Sequence, residues 1–525
     1  MVRRPRLAAS VLVGVIALGA ASLALLPGVA FWDTGELQAV GPLMGTAHPT
    51  GFPTYVLLGW LASVVLQPLG EPAFRMNLLS AICVAVSAAV TVDLVLRLTG
   101  RLALGIAAGM GLALMPTAWA MATHAEAHTL HLAFVAVLLW LLVAWDERVR
   151  APGRPEEDDA RDDPADDARQ DPTDRGDRFL IAAAAVFGLA LGNHSLTILL
   201  AIPVGLYVLA VDPGIWRRGR LVASCVGVLA LTVVLVYLEL PLRAGPFRAP
   251  LVYGTPDTWE GFKYIVLAEQ FRDSVTDPFG ELPRKFGDLV MRATTQFGIL
   301  APLIPIGFIV TALRRPRYAL LTGTAAAITC FFAASYVNAD ISRYYLGPEL
   351  MAWTWLAILA AAIVDLLAHL AGDIDPATAR TRAGMISVIV AVGLLVPTLL
   401  EVPARHAAVD ASHQVDAVNW TAHALDVMEP DAAIVSWWSY STPLWYAQRV
   451  EGKRPDIEII DDRTRLDENL GGLTDVIDAN LGKRPVYVIR IDPNEVRQLA
   501  GLYDLEYIDG GDARTLTRVI GRKGS

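Results

Sequence analysis

Three residues able to move a proton follow the first apolar run of the chain. Asp33, Glu36 and His48 lie within FWDTGELQAVGPLMGTAHPTGFP, residues 31–53. Two carboxylates three residues apart with an imidazole close by suit general acid and base chemistry, and the same groups would suit a divalent cation. A structural reading competes: in DTGE, Asp33 would cap a helix and Glu36 would answer it three residues later, a capping box. AHPTGFP would then be only a Pro-punctuated turn. On the residues alone both readings remain open.

Further polar groups recur between the apolar runs: His124, Glu126 and His128, then Asn193 with His194, then Arg243 and Arg248, then Asp340, Arg343, Tyr344 and Tyr345. In HAEAH the two histidines and the glutamate alternate, which aligns them on an extended strand but spreads them round a helix. His124 and His128 do share a helical face, yet the glutamate does not follow the first histidine as in HExxH, so a zinc hydrolase is a minor alternative. Charged groups at membrane depth are costly and usually face a cavity or a partner, which makes this set a site hypothesis.

The elements that must position these residues are apolar helices. The chain has 525 residues, 54% of them hydrophobic, with a positive mean hydropathy, which predicts a polytopic α-helical membrane protein. Eleven crossings are expected, near 7–30, 76–97, 102–120, 127–145, 179–193, 195–211, 220–241, 297–313, 318–336, 347–369 and 384–400. The first is read as a retained helix rather than a signal peptide. TYVLLGWLASVVLQPLG is read as a helix in the outer interface. The loops RLTGR, DERVR, WRRGR, RRPR and ARTR fall on one side, the cytoplasm, together with Arg3, Arg4 and Arg6. The polar set then faces outward.

Residues 1–400 are expected to form the transmembrane catalytic domain. It includes a first outer loop with juxtamembrane helices at 31–75, an acidic disordered loop at 149–178 on the inner side, and a large outer loop at 242–296. Within the acidic loop, residues 151–178 hold eleven acids against five arginines, so they carry most of the net charge of −10. Nothing in the charge distribution suggests a nucleic-acid partner. Cys83, Cys225 and Cys330 lie in apolar segments and read as packing residues. Residues 401–525 change character: DAAIVSWW, DIEIIDD, RPVYVIRID and YDLEYIDGG read as short strands with helices between several of them. They predict a small extracytoplasmic α/β domain with a largely parallel sheet. The aromatic run SWWSYSTPLWYAQ would stack on sugars or, more simply, pack this domain.

The early stretch FWDTGELQAVGPLMGTAHPTGFPTYVLLGWL, with RMNLLSAICVAVSAAVTVDLVLRLTG and MPTAWAMATHAEAHTLHLAF, resembles a bacterial branch of the protein O-mannosyltransferase-like family. Animal members of that family act on plexin-type receptor domains. More distantly the layout resembles the GT-C superfamily of glycosyltransferases. LGNHS at 191–195 and LPLRAGPFRAPLVYGTPDTWEGFKYIV at 240–266 extend the likeness. Where the family usually shows a Glu-Val-Tyr run this chain has EAH, with His128 in the tyrosine position.

The resemblance implies a GT-C fold and a polyprenyl-phosphate-linked sugar donor whose lipid tail lies in the bilayer. It implies transfer, with inversion, of mannose or another hexose to a protein hydroxyl or a glycan outside the membrane. Asp33 matches the superfamily's catalytic acid position and is expected to be the base, with Glu36 orienting the acceptor or the loop. Developing charge on the lipid phosphate calls for cations with a planar fork. Arg243 and Arg343 are the candidates, each with a plain alternative as a snorkelling interfacial arginine. His48, Glu126, His128, His194 and Tyr344 would complete the donor site. No cofactor is required, although Asp33, Glu126 and His48 would together suit a divalent cation. A transporter or flippase of lipid-linked sugars is the alternative, and it would need polar residues through the bilayer midplane.

Overall fold

Proline opens many of the helices, as expected for a residue that has no N–H to lose and a φ already set for the first turn. In the computed structural model, which describes residues 3–150, 176–372 and 376–524, the chain begins with helix α1 (Arg3–Leu23), α2 (Trp32–Leu43), α3 (Pro53–Val65), α4 (Pro72–Thr99), α5 (Leu102–Ala113), α6 (Pro116–Met121) and α7 (Ala127–Arg150). Pro53, Pro72 and Pro116 each start a helix, and Gly100, at φ +72°, ends α4 in the left-handed conformation. The acidic loop expected at 149–178 lies, apart from its ends, outside the described residues.

Next come α8 (Asp177–Asn193), a 3₁₀ stretch (Ser195–Leu200) running into α9 (Ala201–Val211), α10 (Gly219–Tyr237), α11 (Glu239–Ala244), α12 (Trp259–Val266), α13 (Leu282–Phe297), α14 (Leu303–Arg314), α15 (Pro316–Ala334), α16 (Leu346–Leu370) and α17 (Pro376–Val409). Each of the eleven apolar segments falls on helix. Among the described residues seven helices are long and apolar enough to cross a membrane, or eight if Leu282–Leu300 and Leu303–Arg314, bent by 83°, count as one span. The other segments are shorter or interrupted: 102–120, for example, is broken between α5 and α6 ahead of Pro116. Bulky apolar side chains such as Val226, Leu231, Ile389 and Leu400 are more than half exposed. A continuous apolar exterior of that kind suits lipid. The chain is a multi-pass membrane protein.

α4 is the central post, packed against α1, α5 and α7. Gly105 permits the close approach of α5, since a Cβ there would stand 2.5 Å from the Val92 carbonyl oxygen. α3 exposes Trp60, Leu61 and Val65 on one side and buries Tyr55 and Val56 on the other, the pattern of a helix lying in an interface. α13 exposes Phe286 and Met291 in the same manner. It lies in the stretch read from sequence as part of a large loop.

After α18 (Asp416–Val427) come β1 (Ala433–Ser436), α19 (Trp438–Trp445), β2 (Glu458–Ile460), α20 (Asp462–Asp467), α21 (Leu473–Asn480), β3 (Val486–Ile489), α22 (Pro493–Leu502), β4 (Tyr503–Tyr507) and β5 (Thr517–Arg522). The strand order is β2-β1-β3-β5-β4. β1 pairs parallel with β2 and β3, whereas β5 runs antiparallel to both β3 and β4. The sheet is therefore mixed rather than largely parallel. The difference comes from β5, whose short TRVIGR run has too little apolar alternation to read as a strand. This α/β unit rests on the early helices. The Ala73 N–H donates to the Tyr446 hydroxyl (3.0 Å), the Gly254 N–H donates to Asp467 (2.9 Å), and a Cβ at Gly35 would come within 2.7 Å of the Thr442 hydroxyl.

Candidate active site

The capping box is not what the acids of α2 form. The helix starts from Phe31, which makes no side-chain cap, and Asp33 and Glu36 both turn toward distant partners. One oxygen of Glu36 accepts the His48 backbone N–H (2.8 Å), and the other pairs with the His48 ring at Nδ1. Glu36 thus ties the loop that follows α2 back to the helix. Asp33 Oδ2 accepts from Arg343 Nη2 (3.1 Å), and Arg343 Nη1 donates to Glu126 Oε2 (2.9 Å). One guanidinium therefore joins carboxylates 310 and 217 residues away in sequence.

Glu126 is gripped further. Its Oε1 accepts the His128 N–H (3.0 Å) and contacts His128 Nδ1 (2.7 Å), while its own N–H donates to Ser80 Oγ (2.9 Å). The His128 ring lies 4.5 Å from that of His194 and 4.8 Å from that of Tyr344. His194 Nδ1 accepts from the Leu196 N–H (3.0 Å), and Asn193 Nδ2 donates to the Ala127 carbonyl (3.0 Å). The break between α8 and the 3₁₀ stretch is in this way tied to the start of α7. His128 Nε2 and Arg343 Nε are buried with no partner among the described residues. Such atoms are costly unless a ligand or water satisfies them.

Arg243 is placed elsewhere. It donates from Nε to the Met44 carbonyl (2.8 Å) and from Nη2 to the Leu43 carbonyl (3.0 Å), closing the C-terminal end of α2. At about 1.5 Å of rise per residue that end is roughly 15 Å along the helix from Asp33. Arg248 donates to the Ala244 carbonyl, Asp340 pairs with Ser342, and the His124 ring meets Thr123. Asp33, Glu36, His48, Glu126, His128, His194, Arg343 and Tyr344 are brought together, and Arg243 is not.

Residues overlooked in the sequence frame this cluster. Asn77 Oδ1 accepts from both Gln38 Nε2 (2.8 Å) and the Ala125 N–H (2.8 Å), and Asn77 Nδ2 donates to the Leu26 carbonyl (2.9 Å). Gln38 in turn accepts the Ala30 N–H (2.8 Å). One buried amide pair thus ties the end of α1, the body of α2 and the loop carrying Glu126 to α4. The available signal was Asn77 and Ser80, polar residues three apart on one face of an apolar span.

Exposure separates the acids. The side chain of Asp33 is 33% exposed, against 2% for Glu36 and 5% for Glu126. Burial alone would raise the Asp33 pKa, but the charges on His48 and Arg343 outweigh it and hold Asp33 below the usual carboxylate range. Burial opposes charge on His48, yet Glu36 and Asp33 push its pKa up to about 9. Burial keeps Glu36 above the ordinary range against the opposing pull of His48. Glu126, despite burial, is driven well below it by Arg343 and His128. A metal does not fit: among the described residues no three His, Cys, Asp or Glu side chains are grouped to hold one. Between Asp33 and Glu126 the bridging position is taken by the Arg343 guanidinium.

Residues 33–214 match the family described as Protein O-mannosyl-transferase TMEM260 N-terminal domain. The Protein O-mannosyl-transferase TMEM260 of Mus musculus is 26% identical over 456 residues, covering 82% of this chain and 59% of the mouse protein. The chain thus spans about three-fifths of the length of that relative. ArnT from Cupriavidus metallidurans, solved with undecaprenyl phosphate bound, superposes with a TM-score of 0.58 at 16% identity over 97% of each chain. The oligosaccharyltransferase of Archaeoglobus fulgidus, in its apo form, gives 0.54 at 12% identity over 99% of this chain and 74% of its own. Residues 33–214 are thus similar to the TMEM260 N-terminal domain family, and the chain as a whole shares the fold of ArnT and the oligosaccharyltransferase.

Proposed function

We propose that the protein is an integral-membrane glycosyltransferase. It moves a hexose, mannose in the first instance, from a polyprenyl-phosphate donor to a serine or threonine hydroxyl of a protein outside a bacterial cytoplasmic membrane, with inversion. The observation that carries this reading is the Asp33–Arg343–Glu126 cluster, in which one carboxylate is open to solvent and the other is buried. The mouse relative's O-mannosyl-transferase name and the undecaprenyl phosphate held by ArnT support the reaction class and the donor.

Asp33 Oδ2 is occupied by Arg343, and Oδ1 takes the proton of the acceptor hydroxyl as its oxygen attacks the anomeric carbon. The C–O bond to the phosphate breaks on the opposite face, and the electron pair leaves on the phosphate oxygen. Arg343, fixed by two carboxylates, offers its unpartnered Nε to that developing charge. His128, anchored through Nδ1 by Glu126, presents Nε2 to the sugar or phosphate, with the tilted rings of His194 and Tyr344 packed against it. Arg243 serves the site indirectly, by holding the far end of α2. The Arg-rich loops keep the opposite face in the cytoplasm, which leaves the cluster and the C-terminal α/β unit outside.

A transporter would need polar groups through the bilayer midplane, and Glu239, buried with both oxygens unpartnered among the described residues, is such a group only near the end of its span. Asp93 and Asp365, charges within the spans, are each bound by two arginines near the Arg-rich ends of the helices. The test is to supply the purified full chain in proteoliposomes with radiolabelled polyprenyl-phosphate mannose and a secreted Ser/Thr-rich protein. Label in the protein fraction is expected. Label found only in glycan or lipid would overturn the acceptor, and no label from any polyprenyl-phosphate hexose would overturn the enzyme reading.

A further inference from the structure

A second concave site lies in the C-terminal α/β unit, on sheet ends the catalytic cluster does not use. The chain leaves β1 toward β2 on one side and returns to β3 on the other. The helices follow suit: α19 packs with Ile434, Ile459 and Tyr487 on one face, whereas α21 and α22 pack with Val435, Ile460 and Val488 on the opposite one. A crevice must open at the carboxyl ends of β1 and β3, where the connections diverge, and open α/β sheets place ligands in such crevices. Here it is a cavity of about 400 Å³ lined by Trp437, Asp462, Arg465, Arg490, Asp492 and Glu495. That is the size of a small-molecule site.

Four of the charges in its wall are spent on one another, Asp462 and Glu495 on Arg465 and Arg490, and Asp492 has no cation partner among the described residues. Arg490, 1% exposed, donates from Nη2 to both oxygens of Asp462 (2.8 and 2.9 Å), from Nε to Glu495 (2.8 Å) and from Nη1 to the Ser436 carbonyl (2.9 Å). Arg465 Nη2 donates to Asp462 as well (2.5 Å), and Asp492 caps α22 through the Asn494 N–H (2.6 Å). A phosphate would find no free cation there among the described residues, and an amine would find Asp462 and Glu495 already neutralised, with only the exposed Asp492 unpaired. What remains is a rigid set of hydrogen-bonding groups. Lone pairs of Asp462 and Glu495 are held in place, and the Trp437 indole N–H and Arg465 Nε have no partner among the described residues. Fixed carboxylate acceptors and an indole wall complement a molecule that carries many hydroxyls and no charge.

We propose that the cavity at the carboxyl ends of β1, β2 and β3 is a binding subsite for an uncharged saccharide, distinct from the Asp33–Arg343 cluster. Its position gives it a use. Trp437 lines the cavity, while the next residue, Trp438, meets the His48 ring edge-on with centroids 6.1 Å apart. A glycan held by Trp437 is therefore one residue removed from the loop that carries His48. The proposal does not depend on the transfer chemistry above, because it concerns binding alone.

The test is saturation-transfer NMR and calorimetry on the full chain in detergent. The probes are methyl α-mannopyranoside and mannobiose, with glucuronate and a Lys-containing tripeptide as charged comparisons. Saturable binding of the neutral sugars is expected, weakened about tenfold or more in Asp462→Asn, where a charged acceptor becomes a neutral one. Trp437→Phe, which keeps a ring but removes the N–H, should weaken it less, and Asp33→Asn should leave it unchanged. Tighter binding of glucuronate or the peptide, no saturable binding of either neutral sugar, or binding indifferent to both Asp462→Asn and Trp437→Phe would each overturn the proposal. Neutral-sugar binding lost in Asp33→Asn would place the sugar in the catalytic cluster and overturn it too.

Discussion

The two charged ends of the helical region are built on opposite principles. At the Arg-rich end three acids are each bound by two arginines: Asp93 by Arg6 and Arg97, Asp146 by Arg150 and Arg317, Asp365 by Arg101 and Arg314. At the other end the ratio is reversed, with the single guanidinium of Arg343 serving both Asp33 and Glu126 while its Nε and His128 Nε2 remain unsatisfied. Saturated pairs orient and anchor helices. A cluster that holds buried polar atoms without partners stores capacity for something else to bind, and such clusters are where functional sites concentrate.

The most severe way to break this contrast is Arg343→Ala. It strands Glu126 at 5% exposure without its cation, and removing one partner of a buried pair costs about 3–5 kcal/mol. Thermal unfolding of the purified variant should show that loss, and adding Glu126→Gln should recover part of it. A variant as stable as the parent would mean that Glu126 is not held as described.

The next effect is on pH dependence. The folded-state pKa of His48, about 9, lies above its ordinary value of 6.5. Its contribution to stability is therefore complete below 6.5 and is lost as pH rises through about 9. Transfer should fall over the same alkaline range, as the positive charge beside Asp33 disappears. Asp33, held below the carboxylate range, should stay ionised well into acid. Replacing Glu36 by Gln removes the nearest negative charge, so the alkaline limb should move down by about one pH unit or more. Rate profiles and denaturation midpoints measured on the two proteins check this, and an unmoved limb would detach His48 from it.

The smallest effect sharpens the contrast from the other side. Asp365 is about half exposed between Arg101 and Arg314, so Asp365→Asn should change stability by no more than about 1 kcal/mol and leave transfer unchanged. A large loss of transfer would show that the Arg-rich end is more than an anchor.

What was legible in the sequence follows from the range of each interaction. Apolar runs announce their own helices, so each predicted segment falls on one, although length alone does not tell an unbroken span from a bent or interrupted pair such as 282–314. Asp33, Glu126 and Arg343 were identifiable as charges out of place, but nothing local says that Arg343 bridges the other two. Arg243 shows the limit most clearly. Its position at the end of a span was visible, and the direction of its side chain, toward the Leu43 and Met44 carbonyls, was not. The DTGE stretch left two readings open, and the helix decides between them by starting at Trp32 with Phe31 as its cap, which frees both acids for distant partners. β5 escaped notice because TRVIGR, although it lies between β3 and β4 in the sheet, carries only two apolar residues side by side and no alternation.

The most direct measurement of the central claim separates binding from chemistry at Asp33. Wild-type protein and Asp33→Asn, matched for folding, would be loaded with labelled polyprenyl-phosphate mannose, and both donor retention and sugar transfer to acceptor would be followed in a single turnover. The account predicts comparable donor retention with transfer reduced about 10²- to 10⁴-fold, the usual contribution of a general base. Transfer at the wild-type rate by Asp33→Asn would contradict it.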